Sequence, residues 1–307
     1  MNLHNDKERF REAIIAASTM FGIEPSLVEK DYFVTLFLKE SIKRIPGLVF
    51  KGGTSLSKCY NLIDRFSEDV DLTLDDTHFT QSKRREAVKI LVNVCEELKL
   101  KLINKETIEK HTHGNYNCYD IQYPIIFPSE DIKTELKVEM TYIQKSYPYE
   151  QRNAISYLGE FFLKNGNEKI AEEYELNSFV VQVQSLERTL IDKVFAVCDY
   201  YLSNDTVRNS RHIYDISKLL SKVNIYDFKL KQLVESVRNE RKLNRKSLSA
   251  QEGIDISKIL NEIITTDFFK KDYNETTLKL LTKTTSYENA IKALRQVIDS
   301  KLFEKNA

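Results

Sequence analysis

The chain lacks several features that announce a function class. No run of residues is long and apolar enough to span a bilayer, so no membrane partner is expected. No basic–apolar signal segment opens it, because Asn5, Asp6 and Glu8 come at once. The 4 cysteines, Cys59, Cys95, Cys118 and Cys198, are scattered without a Cys-x-x-Cys spacing. They read as free thiols of a cytoplasmic protein rather than a zinc site or a disulfide framework. No Gly-x-x-x-x-Gly-Lys-[Ser/Thr] is present, which disfavours a P-loop kinase. Net charge is missing too. Lys plus Arg and Asp plus Glu stand at 46 each, so no bulk positive charge points to nucleic acid. There is no internal repeat and no low-complexity tract, and proline disappears after Pro148.

What is present suffices for a folded core. Hydrophobic residues make up 41% of 307, which argues against disorder, and the length suggests about two domains. Residues 1–45 read as two helices, with Pro25 where a first helical turn tolerates it. Residues 46–150 hold strands and a long helix over about 83–100, with Val88, Leu91, Val92 and Cys95 on its apolar face. Strands are expected near 119–126 and 134–143. Residues 151–180 are mixed, with a turn at Asn165-Gly166-Asn167. From about Ser178 the periodicity is mostly helical. The fold class is α+β, divided into residues 1–177 and 178–307.

One stretch carries most of the chemistry. Leu48-Val49-Phe50 reads as a buried strand. Gly52-Gly53 ends it and opens a helix, with Thr54 and Ser55 as caps. A glycine turn opening a helix directs N–H groups outward, which suits phosphate oxygens. That helix would carry Leu56, Tyr60, Leu62 and Ile63 and end near Asp64-Arg65. Asp69-Val70-Asp71-Leu72-Thr73-Leu74 then alternates polar and apolar, so Asp69 and Asp71 share a face. Two close carboxylates repel unless a cation joins them. Mg²⁺ prefers hard oxygen ligands and often lies between carboxylates and phosphates. Gly-Gly or Asp-x-Asp alone is an ordinary turn or strand edge. The ordered set suits metal-assisted nucleotide transfer from a nucleoside triphosphate. Downstream, Lys137 and Glu139 also share a strand face, and Glu139 completes an acidic triad if that strand lies beside the first.

Other residues leave alternatives open. Lys193 falls inside the apolar helical stripe of Leu186, Leu190 and Val197. An inward lysine needs an anion, which could be a protein carboxylate or a triphosphate, unless it snorkels to water. Asp215 lies at the edge of the stripe of Ile213, Ile216 and Leu220 and could simply pair with Arg211 or His212. His111 and His113 read as loop residues. Lys229, Lys231, Arg238, Arg241, Lys242, Arg245 and Lys246 form a basic stretch that could contact RNA or form a solvated helix face. Two competing functions remain: a glycosyltransferase using Asp-x-Asp on a nucleotide sugar, and a nucleotide-binding protein without transfer activity.

The motifs resemble the nucleotidyltransferase superfamily that includes DNA polymerase β, and more closely the AbiEii/AbiGii toxin family with its MenT-type members. Lys51-Gly52-Gly53-Thr54-Ser55-Leu56-Ser57-Lys58 with Phe66-Ser67-Glu68-Asp69-Val70-Asp71-Leu72 resembles the first motif. Lys137-Val138-Glu139 is similar to the second, Thr189-Leu190-Ile191-Asp192-Lys193 to the third, and Arg211-His212-Ile213-Tyr214-Asp215 to the fourth. Glu29-Lys30-Asp31-Tyr32 matches a further recurring segment. The resemblance spans roughly residues 25–220. It implies a polymerase-β-like core with N-terminal helices and a helical C-terminal domain. It implies transfer of a nucleoside monophosphate from an NTP to RNA, with tRNA as acceptor, by a toxin that an antitoxin protein restrains. In that reading Asp69, Asp71 and Glu139 hold Mg²⁺ or Mn²⁺. Gly52, Gly53, Thr54, Ser55, Lys58, Lys137 and Lys193 bind the nucleotide. Asp69, Asp71, Lys193 and Asp215 are catalytic.

Overall fold

Asp6 accepts a hydrogen bond from the Arg9 N–H and starts helix α1 (Lys7–Phe21), which ends on Gly22 at a left-handed φ of 64°. Pro25 occupies the first turn of α2 (Pro25–Arg44). Both N-terminal helices read from the sequence are therefore present. This computed structural model describes residues 1–304 other than 68, 111–113, 130–132 and 143–144. The expectations for His111 and His113, and for Glu68 within the acidic motif, lie outside the described residues.

The chain continues through β1 (Leu48–Lys51), α3 (Gly52–Lys58), β2 (Asp69–Leu74), α4 (Gln81–Glu97), β3 (Lys101–Leu102) and α5 (Lys105–Lys110). Then come β4 (Tyr116–Gln122), β5 (Glu135–Thr141), β6 (Tyr149–Ala154), α6 (Tyr157–Lys164), α7 (Glu168–Glu173) and β7 (Phe179–Gln184). Among the described residues the strands form a 7-stranded sheet in the order β3-β4-β5-β2-β1-β7-β6. β2 runs antiparallel to β1 and parallel to β5, β1 runs parallel to β7, and β4 runs antiparallel to β3 and β5. Leu136, Val138 and Met140 of β5, Val70 and Leu72 of β2, and Tyr119 and Ile121 of β4 are fully buried. They join one core with Phe33 and Phe37 of α2 and Leu91 of α4. Each such side chain contributes roughly 1.5–3 kcal/mol by leaving water.

Contacts divide the chain into two units, residues 1–60 with 67–183, and residues 61–66 with 184–307. The first is the α+β unit. The second is helical: α8 (Leu186–Leu202), α9 (Arg211–Leu219), α10 (Phe228–Lys242), α11 (Ile256–Thr265) and a last long helix, Lys292–Asp299. α8 packs on α9, α10 and α11. The sequence reading put the change at 177/178; here Phe179–Gln184 is a strand in the sheet, and the helices start after it.

Two local expectations need correcting. The helix after Gly52-Gly53 stops at Lys58 rather than near Arg65, because Asn61 takes a φ of 48° and the chain crosses into the second unit. Leu62 and Ile63 are buried there instead of on a helix face. Thr54 and Ser55 are not caps either. Lys51 is the N-cap residue, so both hydroxyls lie inside the first turn. All four cysteines are free thiols. Among the described residues no helix is long and apolar enough to cross a membrane.

Candidate active site

Alternation along β2 buries Val70 and Leu72 and leaves Asp69 and Asp71 half-buried on the opposite face. β5 alternates in the same way and leaves Lys137 and Glu139 on that face. Parallel pairing sets Asp69 opposite Lys137 and Asp71 opposite Glu139. The conditional expectation of adjacent strands is therefore met. The next strand brings Asp120 opposite Lys137 and Cys118 opposite Glu139. Asp71 also lies against the start of α3. A Cβ on Gly52 would stand 1.8 Å from Asp71 Oδ2. Gly52 has a φ of 75° as well, so this position excludes a side chain twice over.

The carboxylates do not converge as a triad. Glu139 Oε1 lies 3.1 Å from Lys137 Nζ. Burial opposes the charge on Lys137, but Glu139, with help from Asp69, holds its pKa above the usual lysine value. Among the described residues no group of three or more His, Cys, Asp or Glu side chains is close enough to hold a metal ion. The hard oxygens of Asp69, Asp71 and Glu139 still fit Mg²⁺ or Mn²⁺ in kind. The void that Gly52 preserves keeps the Asp71 carboxylate close to the α3 backbone.

The hydroxyls and Lys58 of the first motif are engaged within the protein. Thr54 donates to the backbone oxygen of Asp69 and lies 2.9 Å from Ser67 Oγ. It thereby ties α3 to the first residue of the acidic strand. Ser55 donates to the Gly52 carbonyl at 2.8 Å. Lys58 Nζ meets Asp31 Oδ1 at 2.5 Å, and both side chains are buried. Asp31 also accepts from the Tyr157 N–H at 2.9 Å. The rest of that α2 segment is equally committed. Glu29 accepts from the N–H groups of Ile126 and Phe127 at 2.7 and 3.0 Å, and Lys30 donates to the Lys133 carbonyl at 2.8 Å.

In the helical unit the third and fourth motifs meet. Lys193 on α8 is buried, and its Nζ lies 2.6 Å from Asp215 Oδ2 on α9. Arg65 grips the same carboxylate in two places, Nε to Oδ1 at 2.7 Å and Nη2 to Oδ2 at 2.7 Å. Burial works against the Asp215 charge, but Arg65 and Lys193 together hold its carboxyl well below the usual range. Burial lowers the Lys193 pKa, and Arg65 adds to that while Asp215 resists it. Asp192, beside Lys193 in the chain, turns elsewhere. It receives Arg188, Gln184 and Arg241 at 3.1, 3.2 and 3.3 Å.

Comparison with protein families matches residues 42–300 to the family described as "Nucleotidyl transferase AbiEii toxin, Type IV TA system". The chain belongs to the AbiEii nucleotidyltransferase toxin family. A comparison with curated proteins returned no match. Among solved structures, the fold is similar to MenT4, the nucleotidyltransferase toxin Rv2826c from Mycobacterium tuberculosis H37Rv. That likeness has a TM-score of 0.59 at 16% identity and covers 96% of this chain and 90% of the other. It bears on the fold alone.

Membership of the AbiEii family removes the sugar-nucleotide alternative and makes the chain a nucleotidyltransferase. Within this AbiEii toxin the sequence reading missed Arg65. The sequence places it at a helix end, and nothing in its spacing ties it to Asp215, which lies 150 residues on. The partner of Lys58 was also unassigned. The signal lay in the quoted segment Glu29-Lys30-Asp31-Tyr32, three consecutive charges spread around a helix that proves buried on more than one side.

Proposed function

We propose that this AbiEii toxin moves a nucleoside monophosphate from an NTP to an RNA acceptor, with tRNA as the acceptor class, and that a separate antitoxin protein restrains it. One observation carries the reading: Asp71 stands opposite Glu139 on neighbouring parallel strands while its carboxylate lies against Gly52. Asp69 and Asp71 would hold Mg²⁺, with Glu139 as third donor once it leaves Lys137. A divalent ion held there supplies charge neutralisation at the triphosphate and activation of the attacking hydroxyl.

The chain's own residues supply position. Gly52 holds the Asp71 carboxylate close to the start of α3, and Gly52 and Gly53, which carry no side chain, would let phosphate oxygens approach the α3 N–H groups. Thr54 holds α3 in register with Asp69, and the Lys58–Asp31 pair fixes the other end of α3 to α2. Lys137, on the same strand face, would offer its ammonium to a phosphate oxygen. Lys193 and Asp215 enter the set by motif alone, and within the helical unit Arg65 and Lys193 hold the Asp215 carboxylate. Catalysis is then mainly orientation and charge stabilisation at phosphorus.

The test is direct. The protein is incubated with total tRNA, Mg²⁺ and each labelled NTP in turn. Label should pass to RNA with release of pyrophosphate, and Asp69→Ala or Asp71→Ala should abolish it without loss of fold. Wild-type rates in either variant would remove the metal assignment. Absence of transfer with every NTP would favour a nucleotide-binding protein without activity.

A further inference from the structure

The basic stretch after residue 228 splits in two in the structure. Arg238 and Arg241 face inward. Arg238 Nη2 donates to the Phe303 carbonyl at 2.6 Å, and Arg241 meets Asp192 and Asp199 at 3.3 and 2.9 Å. What remains outside is different in kind. Tyr226 and Phe228 are 76% and 71% exposed, although burying rings of this size would be favourable. They are not displayed by a loose loop. Val223, Ile225 and Leu230 around them are buried, Asn224 accepts from the Tyr226 N–H at 3.1 Å, and Asp227 caps α10. Lys229, Arg245 and Lys246 are exposed at the two ends of α10, and among the described residues none of them pairs with a carboxylate. Their neighbour Lys242 does, at 2.5 Å from Glu252.

The balance of charge has the same sense. The zero net charge of the chain conceals an uneven division, with basic residues in excess in the helical unit and acidic ones in the other. A cation beside two flat rings held in the open at the start of α10, and two more just past its end roughly 22 Å away, match the needs of a single-stranded nucleic acid several nucleotides long, whose phosphates take the cations and whose bases stack on the rings.

We propose that the surface reaching from one end of α10 to the other, with Tyr226 and Phe228 as stacking platforms and Lys229 as a phosphate contact at its start and Arg245 and Lys246 as phosphate contacts just past its end, is where the acceptor RNA is held through an unpaired segment. This deepens the function proposed above and rests on its RNA acceptor.

The test compares wild type with Tyr226→Ser/Phe228→Ser and with Lys229→Glu/Arg245→Glu/Lys246→Glu. The probes are fluorescein-labelled bulk tRNA and a 12-nucleotide single-stranded RNA, titrated at several salt concentrations. Both variants should melt like wild type, because every altered side chain is exposed. The aromatic variant should lose about tenfold in affinity for the single strand with an unchanged salt slope. The charge variant should lose about 0.7 in that slope for each contact removed. NTP binding should be unaffected in both. RNA affinity within twofold of wild type in both variants would overturn the proposal, and a protein partner on this face would give that result. If wild type still labels RNA in that case, the surface is wrong while the transfer reading stands. A wild-type protein that binds no RNA at low salt would overturn both.

Discussion

At the scale of single residues, Gly52 and Asp71 are the most sharply constrained pair. Gly52→Ala must place a methyl group where Asp71 Oδ2 stands and hold it at a positive φ. We expect a loss of about 1–3 kcal/mol of stability together with loss of transfer. Adding Asp71→Ala should restore the steric part of the stability and none of the activity, which denaturant titration and a label-transfer assay separate. The Arg65–Asp215–Lys193 cluster gives a second contrast. Lys193→Met removes one of two cations on Asp215, and Arg65 still holds both oxygens. It should cost little apo stability. Asp215→Asn leaves two buried cations facing an amide and should cost about 3–5 kcal/mol. Because the Asp215 pKa is depressed on folding, its contribution is full above the ordinary carboxylate value of 3.8 and is lost only as pH falls well below it. Equal losses in the two variants, read by thermal melts, would show that Lys193 rather than Arg65 carries the carboxylate.

At the scale of elements, α10 shows why a charge run cannot be read from its sequence alone. Arg241→Glu should destabilise the helical unit by about 3–5 kcal/mol, because it sets a carboxylate against Asp192 and Asp199. Arg245→Glu, just past the helix and exposed, should stay within about 0.5 kcal/mol of wild type. Similar melting shifts for the two would undo this sorting. The elements that were legible are those whose periodicity is strong and local. Pro25 marks the start of α2, Val88, Leu91, Val92 and Cys95 mark the inner face of α4, and alternation marks β2 and β5. The acidic face followed from that alternation once the two strands proved to be neighbours. What was not legible depends on distant partners. β7 reads Phe-Val-Val-Gln-Val-Gln, a short apolar run against a helical background, and only its pairing with β1 makes it a strand. The end of α3 is set by Asn61 turning to a left-handed φ so that residues 62–66 can join the second unit. Glu139 shares the expected face, yet the long lysine two residues before it captures its carboxylate.

At the scale of the whole molecule, the two units share a weakness to mild acid. Each holds a histidine that burial keeps neutral. His4 in the first unit packs on Phe10 and Phe33 and lies 2.9 Å from Tyr32 Oη. Burial, with Lys99 adding, lowers its pKa from 6.5 to about 4. His212 in the second stacks on Tyr200, and its buried Nδ1 has no hydrogen-bond partner among the described residues. Burial and then Lys193 push its pKa well below 6.5. The unfolded chain binds these protons near pH 6.5 while the folded chain refuses them. The unfolded state therefore carries more protons across this window, and stability rises with pH through it. Falling from pH 7 to pH 4.5 should thus cost each unit roughly 1–2 kcal/mol, after allowance for partial screening by solvent. This loss comes before the carboxylates with depressed pKa values, Asp64, Asp75 and Asp215 among them, begin to protonate. Thermal melts at pH 7, 5.5 and 4.5 check the sign. His4→Gln and His212→Gln are neutral at every pH, so each should flatten the dependence of its own unit whatever it does to stability at pH 7. A dependence that survives both substitutions unchanged would assign the acid sensitivity to the carboxylates instead.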